Sequence, residues 1–247
     1  MAESSKKRPK RPSDYPVPGA IGGQLIRTML KAVRSTKLEI PVTSHILCAC
    51  SGGADSTALA LLVARYGRRL GSRVSLLHIN HGWRGEESDG DEAFVLLLGK
   101  KLGIPVWVER LEEKPKKGES WEAHARDFRK VVFRRYSARL EGASIFTGHT
   151  ADDQAETRLW RLFTGAPAKL GGGILMRHGV EVRPLLGVRR RDLISFLHEE
   201  KQIWREDSSN FDPRFLRARM RRDLMPVLEE IFPKAIESIN SVDHSKS

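Results

Sequence analysis

The chain has 247 residues, of which 43 are Lys or Arg and 31 Asp or Glu, giving a net charge of +12. That length suits one or two domains with a full core, and the cationic excess favours a polyanionic partner such as nucleic acid or nucleotide. No apolar run nears the roughly 18 residues of a membrane span, the charged start is not followed by the apolar stretch of a secretory signal, and Cys48 and Cys50 provide no disulfide framework. Membrane, secreted and disulfide-stapled classes are therefore set aside, and a cytoplasmic location is expected.

Residues 1–21 are basic, Pro-rich and poor in apolar side chains, and read as a flexible tail. Leu25, Ile26, Met29, Leu30 and Val33 recur at helical spacing and predict an amphipathic helix over 22–37. Short apolar runs then alternate with longer helical stretches. Strands are predicted at 45–50, 74–79, 105–109 and 143–148, and helices at 55–70, 88–102, 119–140 and 150–163. This alternation implies βαβ units around a parallel sheet, whose continuously apolar strands are covered by helices on both faces. The Gly-rich stretch 164–182 breaks the pattern and reads as a loop. Helices are expected again at 189–200, 215–230 and 233–241, with a loop over 201–214. The fold expected is α/β: a Rossmann-like domain over 22–182, then a short helical extension over 183–241. In open sheets of this type, ligands bind beyond the carboxyl ends of the strands, so the residues just after each run carry the chemistry.

Ser51, Gly52, Gly53, Ala54, Asp55 and Ser56 fall where the first strand turns into its helix. Two glycines let the backbone bend and a ligand approach closely. Helix N-terminal amides favour phosphate, and two hydroxyls add donors. Asp55 would repel a phosphate unless a divalent cation bridged the two. The same residues also suit an ordinary strand–helix turn with a Ser or Asp cap. No Gly-Lys-Ser/Thr is present, so the loop is not a Walker A. Ser-Gly-Gly-Ala-Asp-Ser resembles the pyrophosphate loop of the N-type ATP pyrophosphatase, or PP-loop, superfamily, with its adenine nucleotide alpha hydrolase-like fold. Those enzymes split ATP into pyrophosphate and an adenylated substrate, usually with Mg²⁺. The resemblance implies that residues 51–56 hold the pyrophosphate portion and that Asp55 serves the metal.

Further segments narrow the resemblance. His78-Ile79-Asn80-His81-Gly82-Trp83-Arg84-Gly85 follows the second predicted strand, and Gly148-His149-Thr150-Ala151-Asp152-Asp153-Gln154-Ala155-Glu156-Thr157 follows the fourth. Arg183-Pro184-Leu185-Leu186 and Asp207-Ser208-Ser209-Asn210 come next, then Arg217, Arg219, Arg221 and Arg222. Asp153 and Glu156 stand three apart and share a helix face. Such a pair can bind a substrate ammonium and take its proton, or simply favour a helix N-terminus; spacing alone leaves both open. In this order the segments resemble the tRNA(Ile)-lysidine synthetases.

That resemblance implies a site containing Asp55, His149, Asp153, Glu156, Arg126 from its Ala125-Arg126 pair, and Arg183 from its Arg-Pro-Leu-Leu context. Arg126 would stabilise phosphate charge. The implied reaction uses ATP and Mg²⁺ to adenylate C2 of the first anticodon cytidine of a tRNA(Ile) bearing CAU. The ε-amine of free L-lysine then displaces AMP. Homodimer formation is also implied. Trp83 replaces the usual Leu, Arg217-Ala218-Arg219 replaces Arg-Asn-Arg, and the usual C-terminal tRNA-binding domains are not expected within these 247 residues. The alternatives are a tRNA thiolase of the same superfamily and a non-catalytic basic RNA-binding protein. The first needs C-x-x-C pairs, where this chain has Cys48-Ala49-Cys50 inside a strand. The second has no need of Asp55, Asp153 and Glu156.

Overall fold

The computed structural model describes residues 19–35, 45–67, 73–115, 117–118, 120–166, 172–206 and 216–241. Most of the expected N-terminal tail and the Asp207–Asn210 segment lie outside these residues. The elements in chain order are α1 (Ala20–Ser35), β1 (His45–Ala49), α2 (Ala54–Tyr66), β2 (Arg73–Asn80), α3 (Glu86–Leu102), β3 (Val106–Arg110), α4 (Trp121–Arg139), β4 (Ser144–Phe146), α5 (Ala151–Thr164), β5 (Arg177–His178), β6 (Glu181–Val182), α6 (Arg190–Glu199), α7 (Leu216–Arg219), a π turn (Met220–Leu224), α8 (Met225–Ile231) and α9 (Ala235–Ser241). None of the described helices is long and apolar enough to cross a membrane.

The sheet order is β3-β2-β1-β4-β6-β5. All pairs are parallel except β5 with β6. The period of two in the strands sorts their side chains onto two faces. Ile46, Cys48, Leu76 and Phe146 face a core shared with α1, α2, α3 and α6. Leu47, Leu77 and Ile145 face the other way, onto Val132, Phe133 and Tyr136 of α4. Helices on both faces explain why the strands carry no polar alternation. The chain runs outward from β1 to β3, then returns to the opposite side of β1 as β4. This reversal opens a crevice at the carboxyl ends of β1 and β4.

Three features depart from the sequence reading. The stretch 164–182 is not all loop, because β5 and β6 extend the sheet. Ile145 N–H donates to Val180 O at 2.9 Å and Thr147 N–H to Val182 O at 3.0 Å. Strands of two residues leave no periodic pattern to read; pairing with β4 makes them. The division at 182/183 also falls inside one core, since Val182, Leu185, Val188, Leu193, Phe196 and Leu197 pack with α1 and α2. A separate cluster joins Ala151, Ala155 and Leu159 of α5 to Met220, Met225 and Ile236. Within the helix expected over 215–230, a π turn separates α7 from α8. Pro226 at the start of α8 has no N–H to continue the α-helical ladder.

Candidate active site

A cleft of about 1050 Å³ opens at the carboxyl ends of β1, β2 and β4. Its floor is the turn between β1 and α2. Gly52 has φ +98°, a conformation that side chains resist. The turn is fixed from within: Ser56 Oγ donates to Gly53 O at 3.0 Å, Ser51 N–H donates to Ser56 Oγ at 3.2 Å, and Thr57 Oγ1 donates to Gly52 O at 3.0 Å. Gly53 caps α2 with no side-chain hydrogen bond, so the first-turn amides point free of any helical acceptor, as an anion requires. Gly148 lies close behind: a Cβ there would stand 3.1 Å from Asp55 C and 3.2 Å from Asp55 O and Ser56 N.

The His-x-Asn segment is built into the wall. His78 Nδ1 lies 2.9 Å from Cys50 O, while Asn80 Oδ1 accepts from Gly82 N–H at 2.9 Å and its amide donates to Asp89 and Glu92. Arg84 donates to Asp91 at 2.6 Å, and Arg205 donates to the same carboxylate at 2.9 Å. The backbone of Arg205 reaches over the turn, its N–H donating to Gly52 O at 2.9 Å. At the rim, Trp83 stacks on Trp121 with ring centroids 5.9 Å apart.

Above the turn lies a network of three acids and two arginines. Asp153 takes up the helix-capping role and also pairs with both arginines. Its Oδ2 accepts from Thr150 N–H at 2.8 Å in a capping box at the start of α5, while its Oδ1 accepts from Arg190 at 3.1 Å and Arg221 at 2.9 Å. Glu156 accepts two hydrogen bonds from Arg221, both at 2.8 Å. Asp55 Oδ2 accepts from Arg190 Nε at 2.9 Å, but Asp55 Oδ1 is buried with no partner. Burial raises the Asp55 carboxyl above its ordinary value, only partly offset by Arg190. Burial alone would do the same to Asp153, but Arg190 and Arg221 outweigh it and hold that carboxyl low. The network sets three carboxyl groups against two guanidiniums and leaves one oxygen of Asp55 without a hydrogen-bond partner.

The remaining expected residues fall out unevenly. Ser51, Gly53, Ala54, Asp55, Ser56, Arg126, His149 and Asp153 line the cleft, whereas Gly52, Glu156 and Arg183 do not. Arg183 turns aside to Glu181 at 2.7 Å and to Leu175 O at 2.9 Å. Arg126 is half exposed and pairs with Glu122 at 3.1 Å. His149 is pushed down to about 4, chiefly by burial, so its ring is neutral at neutral pH. Arg190 was not anticipated from sequence, because within Arg189-Arg190-Arg191 it reads as a solvated charge run. Arg129, also on the cleft wall, was hidden among the many arginines of α4.

Mg²⁺ favours one or two carboxylates together with substrate phosphate oxygens over an all-protein cage. The bare, buried Oδ1 of Asp55 beside the amide-lined turn fits that pattern. Among the described residues, no group of three metal-ligating side chains forms a cage.

A family model for the PP-loop domain matches residues 24–228. A tRNA(Ile)-lysidine synthase of Thermus thermophilus is 40% identical over 207 residues, covering 83% of this chain and 39% of that protein. The enzyme of the same name from Pseudomonas aeruginosa is 41% identical over 200 residues (76% and 42%), and that of Chlorobaculum tepidum 38% identical over 190 residues (76% and 57%). The chain thus spans about two fifths to three fifths of these relatives. Among solved structures, the U34-tRNA thiolase NcsA from Methanococcus maripaludis, which carries a 4Fe-4S cluster, superposes with a TM-score of 0.72 at 18% identity, over 89% of this chain and 77% of that one. That likeness concerns the fold. With the family match running from the first helix into the last turns around the cleft, the chain belongs to the PP-loop domain family.

Proposed function

We propose that this protein is a tRNA(Ile)-lysidine synthetase. The observation that carries the reading is the meeting of the phosphate-suited turn at Ser51–Ser56 with the carboxylate of Asp153 in one cleft, with Glu156 joined to Asp153 behind it through Arg221; the named relatives support it. In the first step, the C2 carbonyl oxygen of the first anticodon cytidine attacks the α-phosphorus of ATP, and pyrophosphate leaves onto the turn amides. A carbonyl oxygen is a poor leaving group; adenylation makes it a good one. In the second step, the lysine ε-amine forms a bond to C2, the C2–O bond breaks and AMP departs.

The chain's own groups divide this work. Residues 51–56 cradle the pyrophosphate portion. Asp55 holds Mg²⁺, which supplies charge neutralisation on the phosphates when bound. Arg190 and Arg221 change partners: triphosphate oxygens draw the guanidiniums off the carboxylates, and Asp153 and Glu156 then receive the lysine ammonium. That ammonium is fully protonated at neutral pH, so its protons leave as the C–N bond forms and the nitrogen becomes acidic. Neutral His149 offers hydrogen bonds without adding charge, and Arg126 stabilises phosphate charge from the rim. The target base belongs to a single-stranded loop and enters the cleft at modest cost. A cytoplasmic setting and a homodimeric assembly accompany this reading.

The test is AMP and pyrophosphate formation from ATP with Mg²⁺, L-lysine and a CAU-anticodon tRNA(Ile) transcript, beside Asp153→Ala. Turnover that requires both lysine and that tRNA, and disappears in the variant, is expected. Pyrophosphate release that continues over many turnovers without lysine would refute it, since adenylation alone accounts for a single equivalent.

A further inference from the structure

We propose that Arg129 is the phosphate-receiving residue on the wall of the cleft opposite the turn. This rests on the reading above, in which the phosphate is the one that stays with adenosine when pyrophosphate leaves. Residues 122, 125, 126, 129 and 133 of α4 face the cleft at helical spacing, and Ala125 leaves room beside the two arginines. Arg126 has a carboxylate partner in Glu122. Arg129 has none among the described residues: its Nε is buried without a hydrogen-bond partner, and no ion pair engages its guanidinium. Glu181, the carboxylate whose charge favours it, is hydrogen-bonded to Arg183 at 2.7 Å instead. The other charges acting on Arg129 are cations, Arg126 and Arg183. Its own charge helps to keep His81 and His149 neutral, after burial.

A guanidinium cannot shed its proton to escape this setting, so a largely desolvated cation with no carboxylate in contact lines the cleft. Burying a lone charge opposes folding, and a ligand anion is the counter-ion that resolves it. The turn between β1 and α2 accounts for the pyrophosphate portion. Arg129, on a separate element, is left for the phosphate of the adenylate or for a backbone phosphate of the RNA.

The experiment compares wild type, Arg129→Met and Arg129→Lys by calorimetric binding of AMP, inorganic pyrophosphate and an anticodon stem–loop RNA, together with thermal unfolding without ligand. Removing a charge with no carboxylate in contact should leave Arg129→Met at least as stable as wild type. Its AMP affinity should fall about ten- to a hundredfold, as expected for a lost charged hydrogen bond. Pyrophosphate affinity should hold, and Arg129→Lys should recover part of the loss. If RNA affinity falls and AMP affinity does not, the phosphate received is that of the RNA backbone and the assignment of Arg129 stands. Unchanged affinity for both, or a ligand-free Arg129→Met protein less stable than wild type, overturns the proposal. Neither readout needs lysidine formation, so this proposal and the proposed function fail separately.

Discussion

Replacing Arg190 by Met removes the cation that joins the turn to α5 while keeping most of its volume. Arg190 donates to Asp55 at 2.9 Å and to Asp153 at 3.1 Å, and all three side chains are about four fifths buried. Each charged hydrogen bond contributes about 1.5–3 kcal/mol. Arg221 still serves Asp153 after the substitution, so the expected loss is about 3 kcal/mol at pH 8, the low end for breaking a buried ion pair. The loss must also depend on pH. Asp55, already raised by burial, rises further, and Asp153 loses a main cause of its lowering. Between the unfolded value near 3.8 and the raised folded value, the native variant holds more protons than the unfolded chain, so its stability falls as pH rises. The deficit against wild type should therefore shrink to about 1 kcal/mol near pH 4.5 as the carboxyls protonate. Urea unfolding of both proteins at pH 4.5, 6 and 8, followed by tryptophan fluorescence, measures it. A deficit below about 1 kcal/mol at pH 8, or one equal at all three pH values, would refute the network as described.

Gly148→Ala presses a methyl group on the backbone of Asp55 and Ser56; it should cost about 1–3 kcal/mol in stability and weaken ATP-analogue binding by about tenfold, and unaltered affinity would mean that the turn tolerates displacement. His149, held at about 4 against an ordinary 6.5, takes up a proton on unfolding between those values, so wild-type stability should drop as pH falls from 6.5 towards 4. His149→Asn should remove about 2–3 kcal/mol of that drop, and an identical pH slope in urea-unfolding midpoints would contradict its buried, neutral state.

The four strands that form the main sheet were legible because each is an apolar run bounded by turn residues. Their connecting helices were legible from their length between those runs. The turn at 51–56 and the Asp153/Glu156 pair were legible because they follow strand ends, where the fold concentrates ligands. What escaped was set by tertiary neighbours. Arg190 becomes a site residue only because β6 delivers the start of α6 beside α2 and α5, and β6 itself has no sequence signature. Arg183 was expected in the site, but Glu181, two residues away on β6, captures it. Arg129 and Arg126 look alike in sequence; only burial separates the paired arginine from the bare one. For Asp153, the spacing showed the capping role but not the ion pairs, since Oδ2 caps α5 while Oδ1 accepts from Arg190 and Arg221, whose positions depend on distant elements.

The start of α6 has a mechanical consequence. Arg189 donates to Asp152, Glu229 and Glu237, gripping α5, α8 and α9. Its immediate neighbour Arg190 anchors to Asp55 through its side chain and to Asp152 through its N–H at 2.7 Å. A single peptide unit, with no spacer, thus links the seating of the terminal helices to the carboxylate of the turn. The seating of α8 and α9 and the partner of Asp55 are therefore adjacent in the chain, and whatever coupling runs from one to the other runs equally in reverse.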